Sequence, residues 1–101
     1  MFNVFEALVK TIRDRKSSSE QESYTKKLLV DKNLCREKVM EEINELVDAL
    51  SKKKNEVHEA ADVIYHLLVL LEANDIKIED VLGELKKRQG ISGLVEKANR
   101  E

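Results

Sequence analysis

Helical spacing runs almost unbroken through these 101 residues, because the chain has no proline and only three glycines to interrupt it. Residues 2–16 put Phe2, Phe5, Leu8, Val9 and Ile12 on one face and end in Arg13, Arg15 and Lys16, the pattern of an amphipathic helix. The run 17–22 has no apolar residue and reads as a loop. Ser23 is placed to cap a short helix through Leu28, Leu29 and Val30. A long helix is expected from about Asn33 to Lys54, with Leu34, Val39, Ile43, Leu46, Val47 and Leu50 as its core stripe. Asn55 is placed to cap the next, which runs to about Ala73, and Asn74-Asp75 is turn chemistry. A fifth helix covers 78–89 with Gly90 as its stop, and a last short one spans 92–100. The expected fold is an all-α bundle of four to five helices in one domain, 1–101.

A domain of this size buries a limited share of its surface, so pairing with a second copy would help it. The 20 acidic and 18 basic side chains carry no basic block, which argues against nucleic acid as a partner and makes any phosphate binding local. The run Lys52-Lys53-Lys54 reads as a solvated helix end. Cys35 is the one cysteine, so no intramolecular disulfide framework is available and a reducing cytoplasm is expected. Neither a secretory leader nor an apolar stretch of about 20 residues is present, so no membrane association is expected.

The chemistry lies in the two central helices. One carries Glu41, Glu42 and Glu45, the other Glu59 and Asp62, with thirteen residues and a turn at 54–55 between the two groups. Residues three and four apart share a helical face, so each group is a cluster. If the helices fold back antiparallel, Glu42, Glu45, Glu59 and Asp62 face one another, a hard-oxygen set suited to Mg²⁺ or Mn²⁺. On the first helix alone the acids lie largely opposite the apolar stripe, which favours a solvated face. On the second, Glu59, Asp62 and His66 share a stripe with Val69, Leu70 and Ala73, in a helix whose second half is apolar on nearly every side. Carboxylates on a face that packs need a cation or strong donors.

No other constellation competes. Cys35 has no histidine within its helix, the two histidines are too few for a zinc site, and no glycine-rich phosphate loop exists.

The pattern Glu41-Glu42-x-x-Glu45, thirteen residues, then Glu59-x-x-Asp62 resembles the acidic signature of the all-helical nucleotide pyrophosphohydrolases. Ser23-Tyr24-Thr25-x-x-Leu28, Lys38-Val39-Met40-Glu41-Glu42, the run from Glu59 through Tyr65-His66 to Leu71, and Leu85-x-x-Arg88 narrow the resemblance to the phosphoribosyl-ATP pyrophosphatases, over roughly residues 5–90. Two departures stand out: Met40 replaces a small residue, and the proline expected before Ser23 is missing.

The resemblance implies a dimeric enzyme that hydrolyses phosphoribosyl-ATP to phosphoribosyl-AMP and pyrophosphate in the second step of histidine biosynthesis. It implies Mg²⁺ or Mn²⁺ on Glu42, Glu45, Glu59 and Asp62, with Glu41 or Glu42 taking the proton from water. Ser23, Tyr24, Thr25, Lys38, Tyr65, His66 and Arg88 become candidate substrate contacts. Four of these have a plainer alternative: Ser23 as a cap, Lys38 as an intrahelical partner of Glu42, and Tyr65 and His66 as packing. Two rival functions remain at this point, a house-cleaning nucleoside triphosphate pyrophosphohydrolase on the same scaffold and a non-catalytic helical dimerisation module.

Overall fold

The structure, a computed structural model, describes residues 2–89, and every regular element among them is helical. Helix α1 spans Phe2–Asp14 and tightens into a 3₁₀ turn at Arg15–Ser17; α2 spans Tyr24–Val30, α3 Lys32–Lys52, α4 Glu56–Ala73 and α5 Ile78–Arg88. The expected stop at Gly90 and the helix over 92–100 lie outside the described residues.

The helix ends follow local chemistry. Ser23 Oγ accepts from the Lys26 amide at 3.1 Å and so caps α2. Asp31 closes α2 and opens α3, accepting from the Leu34 amide at 3.0 Å, so α3 starts earlier than the sequence pattern alone indicates. Helix α3 ends in a left-handed Lys53 (φ 56°), with the Lys54 amide donating to the Ala49 carbonyl at 3.1 Å. Asn55 is also left-handed (φ 62°) and occupies the N-cap of α4 as expected, though its carbonyl, which accepts from the Glu59 amide at 3.0 Å, makes the bond and its side chain makes none. Two left-handed residues within three positions reverse the chain and lay α4 back along α3. The same closure recurs after α4, where left-handed Asp75 lets the Ile76 amide reach the Leu71 carbonyl at 2.9 Å.

The core gathers Val9 and Ile12 of α1, Leu28 and Leu29 of α2, Cys35 of α3, and Leu68, Val69 and Ala73 of α4. Helix α4 is the hub, with α1, α2, α3 and α5 all packed against it. An ion network ties α1 to the far end of that hub: Arg13 donates to Glu79 at 2.9 and 2.7 Å and to Glu72 at 3.2 Å, and Lys16 reaches Glu72 at 2.8 Å.

One expectation needs correction. The α3 stripe Ile43, Val47 and Leu50 does not form the core of this chain; Val47 is 61% and Leu50 56% exposed. The face that α3 turns inward carries Cys35, Val39 and Ala49, all buried, and Glu42 falls on that same row. Glu42 is therefore half-buried rather than on a solvated face. Helix α4 likewise buries Leu68 and Val69 but leaves Ile64 and Leu67 substantially exposed, so its greasy circumference is only partly covered.

Candidate active site

The antiparallel reversal brings the two acidic clusters together. Carboxylate oxygens of Glu42, Glu45 and Glu59 lie within 4.8 Å of one another, and so do ligand atoms of His58, Glu59 and Asp62. Glu59 belongs to both sets and joins them. Burial, then the adjoining Glu45 carboxyl, pushes Glu42 above the ordinary carboxylate range, with His66 opposing and Asp62 adding. Glu59 is raised by the same two causes in the same order. The Oε2 atoms of Glu42 and Glu59 are buried and have no hydrogen-bond partner. Carboxylates crowded together, with orphaned inward oxygens, fit a hard divalent cation, whose charge would replace repulsion by attraction. Glu42, Glu45 and Glu59 form one set that could hold such an ion, and His58, Glu59 and Asp62 form the other.

Glu41 stands apart from this cluster. It is exposed and accepts from Lys38 Nζ at 3.2 Å, so Lys38 pairs with Glu41 and not with Glu42 as the spacing also allowed. The charge of Lys38 also acts on Glu42 and Tyr24, without a bond to either.

A polar seam between α2 and α4 runs beside the acids. Tyr24 Oη lies 3.1 Å from His66 Nε2, and His66 Nδ1 lies 2.7 Å from the Asp62 carbonyl one turn earlier. Thr25 Oγ1 and the Tyr65 hydroxyl are bonded one position along. Ring edges add to the seam, with Tyr24 and Tyr65 both T-shaped against His66. His66 is thus buried by packing and fully partnered at both nitrogens. Tyr24 and His66 sit close enough to Glu42 to interact with its charge, and Thr25 and Tyr65 continue the seam beside them, while Ser23 serves as the α2 cap. Arg88 pairs with Glu84 at 3.1 Å in the last turn of α5, on the helix that follows the end of α4 remote from Glu59 and Asp62.

Two features were missed in the sequence. His58 Nε2 lies 3.4 Å from Asp62 Oδ2, a four-residue spacing that was available to find it. Lys52 and Lys54, read as a solvated end, line an open cleft of about 310 Å³ beside Glu45 and Glu59. A larger cleft of about 510 Å³, between α1 and α5, contains none of the expected site residues.

The class defined here is an all-helical protein whose antiparallel α3–α4 pair brings two acidic sets together through Glu59. Comparison with known proteins gives the family. Residues 5–89 match the family described as Phosphoribosyl-ATP pyrophosphohydrolase. A phosphoribosyl-ATP pyrophosphatase of Neisseria meningitidis serogroup B is 49% identical, over 97% of this chain and 94% of the relative. Relatives of the same name from Rhodobacter capsulatus and Dinoroseobacter shibae are 44% and 43% identical over 92% and 97% of this chain, and over 93% and 99% of their own lengths. The chain belongs to the phosphoribosyl-ATP pyrophosphohydrolase family.

Proposed function

We propose that this chain is an enzyme that hydrolyses phosphoribosyl-ATP to phosphoribosyl-AMP and pyrophosphate, the second step of histidine biosynthesis. Family membership across residues 5–89 carries the reading, and the convergence of Glu42, Glu45, Glu59 and Asp62 supplies its chemistry. Those four residues hold Mg²⁺ or Mn²⁺. The ion, when bound, neutralises phosphate charge and lowers the pKa of a coordinated water.

The side chains divide the remaining work. Glu42 is better placed than Glu41 to accept a proton, since it belongs to the acidic set whereas Glu41 is exposed and held by Lys38. Glu41 instead fixes Lys38 beside the site. Lys38, paired with Glu41 beside the acids, offers positive charge to the pyrophosphate leaving group, where negative charge accumulates, and Lys52 and Lys54 do so from the separate cleft that they line with Glu45 and Glu59. Ser23, whose oxygen is occupied as a cap acceptor, keeps its hydroxyl hydrogen for a phosphate oxygen. Thr25 and Tyr65 shape the wall, with His66 buried and packed against Tyr65. Arg88 enters only if a second subunit brings it to the site.

The second subunit is part of the proposal. Met40, Ile43, Val47 and Leu50 on α3 and Ile64 and Leu67 on α4 are exposed apolar residues on the two helices that carry the acids. A homodimer covers them and completes the bundle. The free thiol of Cys35, buried and pushed above its ordinary pKa by that burial, suits a cytoplasmic enzyme. No helix among the described residues is long and apolar enough to cross a membrane.

Pyrophosphate release from phosphoribosyl-ATP, set against a panel of nucleoside triphosphates, tests the activity. The expected result is turnover of phosphoribosyl-ATP that stops on chelation and returns with Mg²⁺ or Mn²⁺. Preference for an ordinary nucleoside triphosphate would overturn the substrate assignment.

A further inference from the structure

The hydrogen-bond chain from Asp62 through His66 to Tyr24 has a direction, and the direction limits what Tyr24 can recognise. A backbone carbonyl only accepts, so the 2.7 Å contact between His66 Nδ1 and the Asp62 oxygen requires the hydrogen on Nδ1. In a neutral imidazole, Nε2 then carries a lone pair and accepts. Its partner at 3.1 Å is the Tyr24 hydroxyl, which must donate. A phenol has one hydrogen. With that hydrogen committed to His66, Tyr24 Oη presents only lone pairs to its surroundings. Tyr24 is 49% exposed, so a ligand can reach the residue. It also sits close enough to Lys38 and Glu42 to feel both charges, which puts it on the rim of the acidic cluster. Phosphate oxygens are acceptors and gain nothing from an acceptor, whereas Lys38 serves them well.

We propose that Tyr24 is a specificity residue that accepts a hydrogen bond from the nucleotide, from a ribose hydroxyl or a purine amino group, and that His66 is the positioning residue that enforces this polarity. The proposal rests on the function given above and refines one part of it, the division of substrate contacts between Lys38 for phosphate and Tyr24 for hydroxyl or amino hydrogens. His66 touches no substrate, because both of its nitrogens are occupied within the fold.

The ring state is tested first, in the parent protein and independently of activity. ¹⁵N NMR of the imidazole at pH 8 should show a protonated Nδ1 and an unprotonated Nε2 for His66. A hydrogen on Nε2 would free the Tyr24 hydrogen and overturn the proposal, whatever the substrate proves to be.

Kinetics with phosphoribosyl-ATP then separates aiming from mere support. Tyr24→Phe should raise KM about fivefold with kcat little changed, the size expected for one neutral hydrogen bond. His66→Asn keeps a donor near the Asp62 carbonyl but removes the acceptor for Tyr24, and should raise KM equally. His66→Gln, whose amide oxygen reaches toward the Nε2 position, should stay near the parent. The double variant Tyr24→Phe/His66→Asn should be no worse than either single change. Unchanged KM in Tyr24→Phe, or fully additive losses in the double variant, would overturn the proposal. Competition by AMP, 2′-deoxy-AMP and inosine monophosphate distinguishes the two donors. If Tyr24→Phe loses the parent's preference for AMP over 2′-deoxy-AMP, the contact is a ribose hydroxyl; if it loses the preference over inosine monophosphate, the contact is the amino group. Identical rankings in parent and variant would count against any nucleotide contact at this hydroxyl. Absence of turnover in the parent would instead fault the assigned activity and leave the NMR result standing.

Discussion

Two buried oxygens without partners, Oε2 of Glu42 and Oε2 of Glu59, mark where the fold tolerates what an ordinary core does not. Each belongs to a carboxyl already raised by burial and by Glu45, so the metal-free cluster opposes its own charge. Lys38 sits just outside, held by Glu41 in an exposed pair of the kind that adds little to stability. Lys38→Met should therefore leave the melting temperature nearly unchanged while raising KM for phosphoribosyl-ATP about five- to tenfold, as measured by pyrophosphate release. An unchanged KM would remove Lys38 from the phosphate contacts. At this scale the sequence was informative wherever spacing alone fixes a shared face. Glu42 with Glu45, and Glu59 with Asp62, are neighbours on any α-helix, and Ser23 caps by its chemistry. What spacing cannot supply is rotamer and partner. Lys38 had Glu41 and Glu42 equally within range and took Glu41, and the polarity of the Tyr24–His66 bond depends on a contact 42 residues apart in the chain.

Among the elements, α3 was the one whose orientation the sequence misled. Its strongest apolar row, Ile43, Val47 and Leu50, was read as core, yet the row turned toward α4 is Cys35, Val39, Glu42 and Ala49. Hydrophobicity says that a face is to be covered but not by which chain. The antiparallel return of α4, by contrast, was legible from the turn at 54–55, although the reversal uses left-handed Lys53 and Asn55 in place of the glycine that such geometry favours. Helix α1 is fastened by Arg13 and Lys16 to Glu72 and Glu79, a link between elements that no periodicity reveals. Arg13 and Lys16 hold the Glu72 carboxyl below its usual range against the upward push of burial, and Arg13 lowers Glu79 from 4.5 to about 2. Unfolding thus takes up protons in acid. The network's stabilisation is complete above about pH 4.5 and is lost as pH falls toward 2. Arg13→Gln should melt several degrees lower than the parent at pH 7, and the gap should close on acidification through that window. Comparison at matched pH cancels the opposite trend of Glu42 and Glu59, whose raised values make the metal-free fold less stable as pH rises. A gap that is constant across the window would deny the network its role.

For the whole molecule, the exposed row on α3 and the acids on its other side are two faces of one requirement. In the proposed dimer a second copy covers the helices that carry the acids, which would couple assembly to chemistry. Light scattering should give twice the chain mass at micromolar concentration, and Ile43→Glu/Val47→Glu should give the single mass, since two charges in an apolar interface leave no partner. A single-chain mass for the parent would reject the dimer. The assembly is expected from small size and from resemblance; the exposed α3 row that suggests its surface appeared only in the structure. The central claim is that Glu42, Glu45, Glu59 and Asp62 form a cation site that cleaves phosphoribosyl-ATP. Asp62→Asn keeps shape, removes one charge from that site, and relieves repulsion without metal, so the variant should fold as stably as the parent. The most direct measurement is pyrophosphate release from phosphoribosyl-ATP by parent and Asp62→Asn side by side, at saturating Mg²⁺ and with folding verified by circular dichroism. The account predicts release by the parent and a loss of at least about a hundredfold in the variant, because one misplaced ligand mis-sets the attacking water. Near-parental release by a folded Asp62→Asn, or no release by the parent, would contradict it.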